Sequence, residues 1–503
     1  MLKLFLSFKL VMVTVAEHID YKGLYEDLQV KYEALQHELN SLKRMIFGSK
    51  HERFVPTANN PAQTSLDLTV EQVATCSVID AKKITYTRTT TEVTDKKEHP
   101  GRMKLPEHLE RREIVIEPEE DVSGLKKIGA EITEELEYEP GNFYVNKIVR
   151  NKYVRPDSKG IAIAPMIERP LPKAIAGAGL LAHIVIDKYV DHLPLYRQVE
   201  RFKRESINIA YATITDWISN TCALITPLYD LLKNLVLQSN YLHVDESPIK
   251  VLDKDKKGST HRGFYWVYQN SILKMVLFDY RPGRGREGPE EMLKNFKGHL
   301  QTDGYPLYDF FKQQPNITVL NCMAHARRIF FDAKENDAAR AEYALKMIGK
   351  LYDIERKAKA EALDHAGVLE LRQKEAIAIL EEFEKWMKAQ YVEVPPKSAV
   401  AKAIQYCLGR WKELTLYTTD GKLNIDNNPV ENSIRPVAVG RKNYLFAGSH
   451  EAAQRSAMLY SLLGTCKMHN LNPTTWLVDI LKRLPSYPVN KIEDLLPHKW
   501  KPA

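Results

Sequence analysis

The chain has 503 residues, 44% hydrophobic and 27% charged, an ordinary composition with enough apolar residues for several packed domains, which excludes a disordered tail protein. Its 72 Lys and Arg against 65 Asp and Glu leave a formal charge of +7, which suits a polyanionic partner without requiring one. Cys76, Cys222, Cys322, Cys407 and Cys466 stand far apart with no C-x-x-C pair, so no disulfide framework or sequence-local zinc site is signalled, and a reducing cytoplasm fits best.

Residues 1–16 open with "MLKLFLSFKLVMVTV", apolar but interrupted by Lys9 and followed by no A-x-A site, which argues against a secretion signal. A start at Met12 behind a non-native leader is the alternative. Nothing later offers the roughly 18 unbroken apolar residues of a membrane helix. Over residues 17–54, Tyr25, Tyr32, Leu39 and Ile46 alternate with Leu28, Leu35 and Leu42 in heptads, the pattern of a dimerising coiled coil or of an amphipathic helix lying on its own domain. Residues 55–104, rich in Thr, Asn, Pro and Lys, read as a linker.

Alternating polarity with many β-branched and aromatic residues predicts a small β module over residues 105–160. A helical region follows over 161–238. Within it "LPLYRQVERFKRE", "SINI" and "AYATITDWISNT" spell helix, turn, helix, the layout of a helix-turn-helix DNA reader or of a plain helical spacer. As a reader, its second helix presents Thr213, Thr215 and Ser219 to phosphate or base edges.

From residue 239 the texture changes to strands. "YLHVDES", "GFYWVYQ", "MVLFDY", "GHLQTDGY" and "ITVLNCM", with helical stretches between the later ones, give the order β-β-β-α-β-α-β-α of a ribonuclease-H-like α/β core. Its first part is expected over 239–331, an all-helical insertion over 332–400, a second part over 401–450 and a helical C-terminus over 451–503. The expected fold class is therefore multidomain α+β.

Three acids stand out in this core. Asp245 is expected to end the first strand and Asp303 the fourth, so that both carboxylates emerge at one end of a sheet whose neighbouring strands lie about 4.8 Å apart. That spacing suits a shared divalent cation. The alternative is that each acid caps a strand or begins a turn, Asp before Gly being a turn signal. The third acid is Glu431 in "DNNPVENSIRP", on the first turn of a helix with Asn428 as the cap and Pro429 as the first helical residue. Its local alternative is a capping box. Arg435, Arg441, Lys442 and Asn443 follow closely and suit a phosphate backbone. In "CMAHARRIFF", His325, Arg327 and Arg328 either face DNA or form a solvated helix face. Cys322 and His325 are three apart, a metal-like spacing, but without a second pair they read as packing.

Taken together, "GLLAHIVIDKYVDHLPLYRQVERF", "HVDES", "LQTDGY", "CMAHARRIFF", "DNNPVENSIRP", "GRKNYLFAGSHEAAQRSAMLYSLLGTCKMHNLNPTTWL" and "DLLPHKW" resemble the transposase of the IS66 family of bacterial insertion sequences, from "FGSKHERF" to the end of the chain. The resemblance implies a DDE catalytic core with its acids on Asp245, Asp303 and Glu431, cleavage of element ends and strand transfer. It implies Mg2+ as the usual metal, with Mn2+ able to substitute, held by those same three acids in a two-metal phosphoryl transfer. The expected partners are double-stranded DNA at the terminal inverted repeats and target, a second copy in a homodimer or higher oligomer, and accessory proteins of the same element, in the bacterial cytoplasm and with no membrane. Relatives usually carry a cysteine-rich zinc segment after the linker. Here "VSGLKKIGAEITEELEYEPGNFYVNKIVRNKYV" has no cysteine, so no structural zinc is expected. Asn432 stands where many relatives have Arg after the Glu, leaving Arg435 as the nearest cation. A catalytically silent DNA-binding protein and a ribonuclease-H-like nuclease that cuts without joining are the alternatives.

Overall fold

The structure, a computed structural model, describes residues 105–118, 126–139, 141–155, 160–253 and 258–502. The expected leader, coiled coil and linker of residues 1–104 lie outside the described residues. The rest forms two mixed sheets and a set of helices.

The first sheet contains β1 (Arg111–Ile116), β2 (Lys126–Glu139), β3 (Asn142–Val154) and β4 (Ile161–Ile163). β3 is its centre, parallel to β1 and antiparallel to β2 and β4. β2 and β3 turn at Gly141, whose φ of +89° is a left-handed conformation that glycine adopts without steric cost. β4 carries the sheet past residue 160, where the module was expected to end, because it pairs with the last residues of β3. Buried acids tie the cysteine-free module to the helices. Glu135 pairs with Arg169 at 3.1 Å, and Glu137 accepts the N–H of Leu180 at 3.0 Å. Burial pushes both carboxyls up.

Leu180 lies in the first turn of α1 (Ala178–Tyr189), followed by α2 (Leu195–Arg204) and α3 (Tyr211–Leu237). The turn before α3 holds Ser206 at a φ of +61°. The second helix of the pair, expected over 210–221, continues for 27 residues. Ile214, Ile218, Cys222, Ile225, Leu228, Leu232 and Val236 keep a three-to-four-residue apolar spacing and are all buried, so one face stays in the core along its whole length.

The second sheet is built from β5 (Tyr241–Leu252), β6 (Thr260–Asn270), β7 (Met275–Arg281), β8 (Gly298–Thr302) and β9 (Ile317–Asn321). α4 (Glu287–Met292) lies between β7 and β8. The strand order is β7-β6-β5-β8-β9, with β5, β6 and β7 an antiparallel meander and β5, β8 and β9 parallel. Asp245 does not end its strand, as had been expected. β6 pairs β5 out to Leu252, and Ala447 bonds its other edge at Lys250 and Leu252. β8, by contrast, pairs β5 only through His243. Pro248 therefore sits on an edge with no β8 ladder to interrupt, where proline is tolerated.

After β9 come α5 (Met323–Asp332), α6 (Ala338–Ala360), α7 (His365–Leu371), α8 (Ile377–Glu393), α9 (Ala399–Leu408) and α10 (Trp411–Thr415). These helices share a second buried core containing Phe330, Met347, Phe383, Ile404, Cys407, Leu414 and Tyr417. That core reaches Ile425, so the helical subdomain extends past residue 400. Arg372, in the π turn between α7 and α8, is buried. It pairs with Glu355 and donates to the carbonyls of Tyr417 and Leu423. The subdomain is thereby fixed to the segment that leads into α11 (Asn428–Asn443).

α12 (His450–Met468) and α13 (Pro473–Arg483) close the fold. α12 covers the edge strand β7, where Ser461 Oγ accepts the N–H of Phe278 at 2.7 Å and Thr465 Oγ1 that of Val276 at 3.3 Å. The unpaired donors of an edge strand are thus satisfied by side chains rather than left to recruit another chain. Among the described residues no helix is long and apolar enough to cross a membrane.

Candidate active site

The β5–β8 register brings the first two acids together. Tyr241 lies opposite His299 and His243 opposite Gln301, and continuing the register by two residues sets Asp303 beside Asp245. Asp303 follows Thr302, the last residue of β8. Its Oδ1 accepts the N–H of Tyr305 at 2.8 Å, so the Asp-Gly turn is present as well. One carboxylate oxygen serves the turn. Gly304 adopts a φ of +86°, and a Cβ there would lie 2.6 Å from Tyr406 Oη. Tyr406 donates to the Asp303 carbonyl at 3.0 Å and Arg410 to that of Gly304 at 3.1 Å. Residues of α9 and the turn after it thereby hold this corner.

Glu431 is carried on the first turn of α11. The cap of α11 is Asn427, one residue earlier than expected. The N–H of Asn427 bonds Cys322 Sγ at 3.1 Å, so it is not available for Glu431 and no capping box forms. The Asn427 side chain does different work. Its Nδ2 donates to the Val244 carbonyl at 2.9 Å, and its Oδ1 meets His243 Nδ1 at 3.0 Å. Asn424 takes the other ring nitrogen, Nε2, at 3.0 Å, and its own N–H bonds Tyr241 Oη at 2.9 Å. His243 and Asp245 lie on one face of β5 by the period-two alternation of a strand. These bonds therefore dock the start of α11 on the face that carries Asp245. His243 is fully buried, and its imidazole is pushed down to about 4 by burial, so it serves this network in its neutral form.

The electrostatics agree with the geometry. The Asp245 carboxyl is pushed up to about 8 by burial, then by the negative charges of Glu246, Asp303 and Glu431, against one bond from the Glu246 N–H. Negative charge gathered around the Asp245 carboxyl in this way is what a bound cation relieves. Glu246, on the opposite face of β5, points into a separate cluster. It accepts from Tyr308 Oη at 2.8 Å and from Arg284 Nε at 2.9 Å, and the Arg284 guanidinium lies 4.1 Å over the Tyr305 ring. The loops after β7 and β8 are braced by it.

The basic residues are distributed unevenly. His325, on the first turn of α5, lies with its Nδ1 3.8 Å from Glu431 Oε1. Arg327 and Arg328 are exposed and line a cleft of about 630 Å3 with Phe331, Tyr352, Arg356 and Asn428. Arg435 and Lys442 are exposed on α11, Arg435 one turn beyond Glu431 on the same side. Arg441 is half-buried and donates to the Pro248 carbonyl, so it fastens α11 to β5. Thr213 and Thr215 are not part of this assembly. They lie on α3, whose sheet partners are β6 and β7. Thr213 lines a depression with residues 170–174, and the Thr215 hydroxyl donates to the Tyr211 carbonyl at 2.6 Å.

The sequence reading missed His243, Glu246, Asn424, Asn427, Tyr308 and Arg410. The repeated Asn in "NIDNNP" was the available signal, since side-chain amides ahead of a helix serve as caps and bridges.

Comparison with known proteins adds the following. The profile of the "Transposase IS66 family" matches residues 173–455, that of the "IS66 C-terminal element" residues 461–498 and that of "Transposase C of IS166 homeodomain" residues 34–114. Three proteins of Sinorhizobium fredii (strain NBRC 101917 / NGR234) are similar along most of their length. Uncharacterized protein y4hP is 30% identical over 501 residues, covering 93% of this chain and 89% of the relative. Uncharacterized protein y4jD is 30% identical with 93% and 94% covered, and y4qI is 34% identical with 78% and 76% covered.

Proposed function

The chain belongs to the IS66 family of transposases, and on that premise we propose that it cuts the ends of its element and joins them to target DNA with Asp245, Asp303 and Glu431 as the acidic triad of a ribonuclease-H-like core. The observation that carries this reading is the placing of Asp303 and Glu431 near Asp245, whose carboxyl is raised to about 8 first by burial, then by Glu246, and also by these two acids. A strand order in which a three-strand meander is extended by two parallel strands supports the core assignment.

Family membership implies a divalent metal, and the donor set suits one. The three acids offer hard oxygen ligands, which Mg2+ and Mn2+ prefer, and the proton held by Asp245 is the kind a divalent cation displaces. When bound, the ions supply Lewis-acid polarisation of the scissile phosphodiester and activation of the attacking water or 3′-hydroxyl. The chain's own groups orient the triad. Asn427 and His243 hold α11 against β5, Tyr406 and Arg410 hold the Asp303 corner, and Glu246 braces the flanking loops. Arg327, Arg328, Arg435 and Lys442 present exposed cations to the phosphate backbone, the sequence-independent part of DNA binding. Arg441 contributes through its bond to Pro248. The α2–α3 pair, with Thr213 and Thr215, is a DNA-reading unit separate from the triad. A cytoplasmic protein that works as a dimer or higher oligomer on paired DNA ends belongs to the same proposal.

Strand transfer on the element's own end sequences, with Mg2+ or Mn2+, tests the proposal. Asp245→Asn, Asp303→Asn and Glu431→Gln are each expected to abolish cleavage and joining while leaving DNA binding intact. Unchanged activity in any one of them removes that acid from the triad. Cutting without joining in the wild type would make the enzyme a nuclease, and no metal-dependent activity in any form would leave a DNA-binding protein.

A further inference from the structure

Cys322 and His325 were read from the sequence as packing because no second ligand pair accompanies them. Tertiary structure supplies a third ligand. Cys322 Sγ, a ring nitrogen of His325 and a carboxylate oxygen of Glu431 all lie within 4.8 Å of one another. We propose that these three side chains form a binding site for a soft divalent ion of the zinc class, and that this ion withdraws Glu431 from the acidic triad.

The donor set is a thiolate, an imidazole and a carboxylate, which together select Zn2+ over Mg2+. Tetrahedral coordination at about 2.0 Å to nitrogen and about 2.3 Å to sulphur sets ligand atoms roughly 3.3–3.8 Å apart. His325 Nδ1 and Glu431 Oε1 are already 3.8 Å apart. The remaining gap is closed by side-chain rotation, since both residues sit on first turns of helices and are partly exposed. Cys322 is different, being fully buried at the cap of α5. Its sulphur faces the N–H groups of Asn427, His325 and Ala324, which pull the thiol down against the burial that holds it near 12. Backbone N–H groups converging on one sulphur stabilise a thiolate once a metal has displaced its proton to solvent. His325 Nδ1 is buried and has no hydrogen-bond partner, a rare condition for a polar atom and one that a metal bond resolves.

Three protein ligands leave a fourth position to water, as in exchangeable rather than structural zinc sites. A Glu431 oxygen engaged by this ion is no longer free to join Asp245 and Asp303 on another cation. Zinc is therefore expected to act as an inhibitor. Only this functional consequence depends on the proposed role of Glu431 in the triad; the ion site itself does not.

The test uses the full chain and cobalt as the probe. Co2+ is expected to bind with a near-ultraviolet thiolate charge-transfer band that is lost in Cys322→Ser. His325→Gln, which keeps the thiol, should weaken binding by about tenfold or more. Asp245→Asn should keep the band, which separates this site from the triad. In strand transfer with Mg2+, added Zn2+ should inhibit the wild type and spare Cys322→Ser. If Cys322→Ser does not fold, the His325→Gln titration decides the matter alone. No charge-transfer band in the wild type, or undiminished affinity in His325→Gln, overturns the site. A band without zinc inhibition in an active enzyme overturns the coupling to Glu431. A band in a protein with no transposase activity leaves the ion site standing and defeats the triad instead.

Discussion

Replacing Asp245 with Asn should stabilise the metal-free protein at alkaline pH. In the unfolded chain this carboxyl titrates near 3.8, and in the folded protein it is held up to about 8. Between those values the folded state binds a proton that the unfolded state has released, so stability falls as pH rises and levels off above the folded value. At about 1.4 kcal/mol per tenfold change in proton affinity, the full difference is about 5–6 kcal/mol. Asp245 keeps part of its surface in water, and solvent screening reduces this to about 2–3 kcal/mol. Asn carries no charge to be crowded by Glu246, Asp303 and Glu431, and its amide oxygen can still accept the Glu246 N–H. Thermal unfolding of both forms in a chelating buffer is the assay. The two should nearly coincide below about pH 4 and diverge steadily above it, and by pH 8.5 the variant should melt about 2–4 °C higher. Other raised acids such as Glu135, Glu137 and Asp426 titrate equally in both forms, so the difference isolates Asp245. Mg2+ should then raise the wild type alone, as mass action requires of a ligand that binds only the folded state. A variant that melts at or below the wild type at pH 8.5 would refute the idea that Asp245 is crowded by like charges.

Asn427→Ala removes the bridge to His243 and the Val244 carbonyl; it should cost about 2–3 kcal/mol in unfolding measurements and lower strand transfer about 100-fold through misplacement of Glu431. Near-normal strand transfer would mean that α11 is positioned by something else. Gly304→Ala forces a side chain into a left-handed turn against Tyr406, with an expected loss of about 1–3 kcal/mol in the same unfolding measurements; an unchanged melt would contradict the turn geometry. Glu246→Gln takes one negative charge from beside Asp245, so the alkaline decline in metal-free stability should end at a lower pH than in the wild type. The double change Arg327→Ala and Arg328→Ala should weaken DNA binding for all sequences alike and reduce the salt slope by about 2 in a filter-binding or anisotropy series. An unaltered slope would put both arginines off the DNA.

Local pattern was enough for the elements themselves. Short apolar and aromatic runs marked β5 to β9, helical periodicity marked α6, and the Asp-Gly and Asn-Asn-Pro stretches marked the turn and the helix start on which two of the acids stand. These signals depend on neighbours a few residues apart, and neighbours are what a sequence displays. A meeting of Asp245 and Asp303 was expected from their strand ends, and Glu431 was joined to them through its basic neighbours and the family resemblance, but the contacts that position these residues could not be read. The parallel β5–β8 register aligns Asp303 with Asp245 across 58 residues of chain. His243 and Asn427 meet across 184. Buried polar groups must find partners wherever the fold supplies them, and which distant residue answers is settled by packing. For the same reason Arg441, which looked like a DNA contact, is bound to Pro248, and Cys322 and His325, which looked like packing, stand beside Glu431.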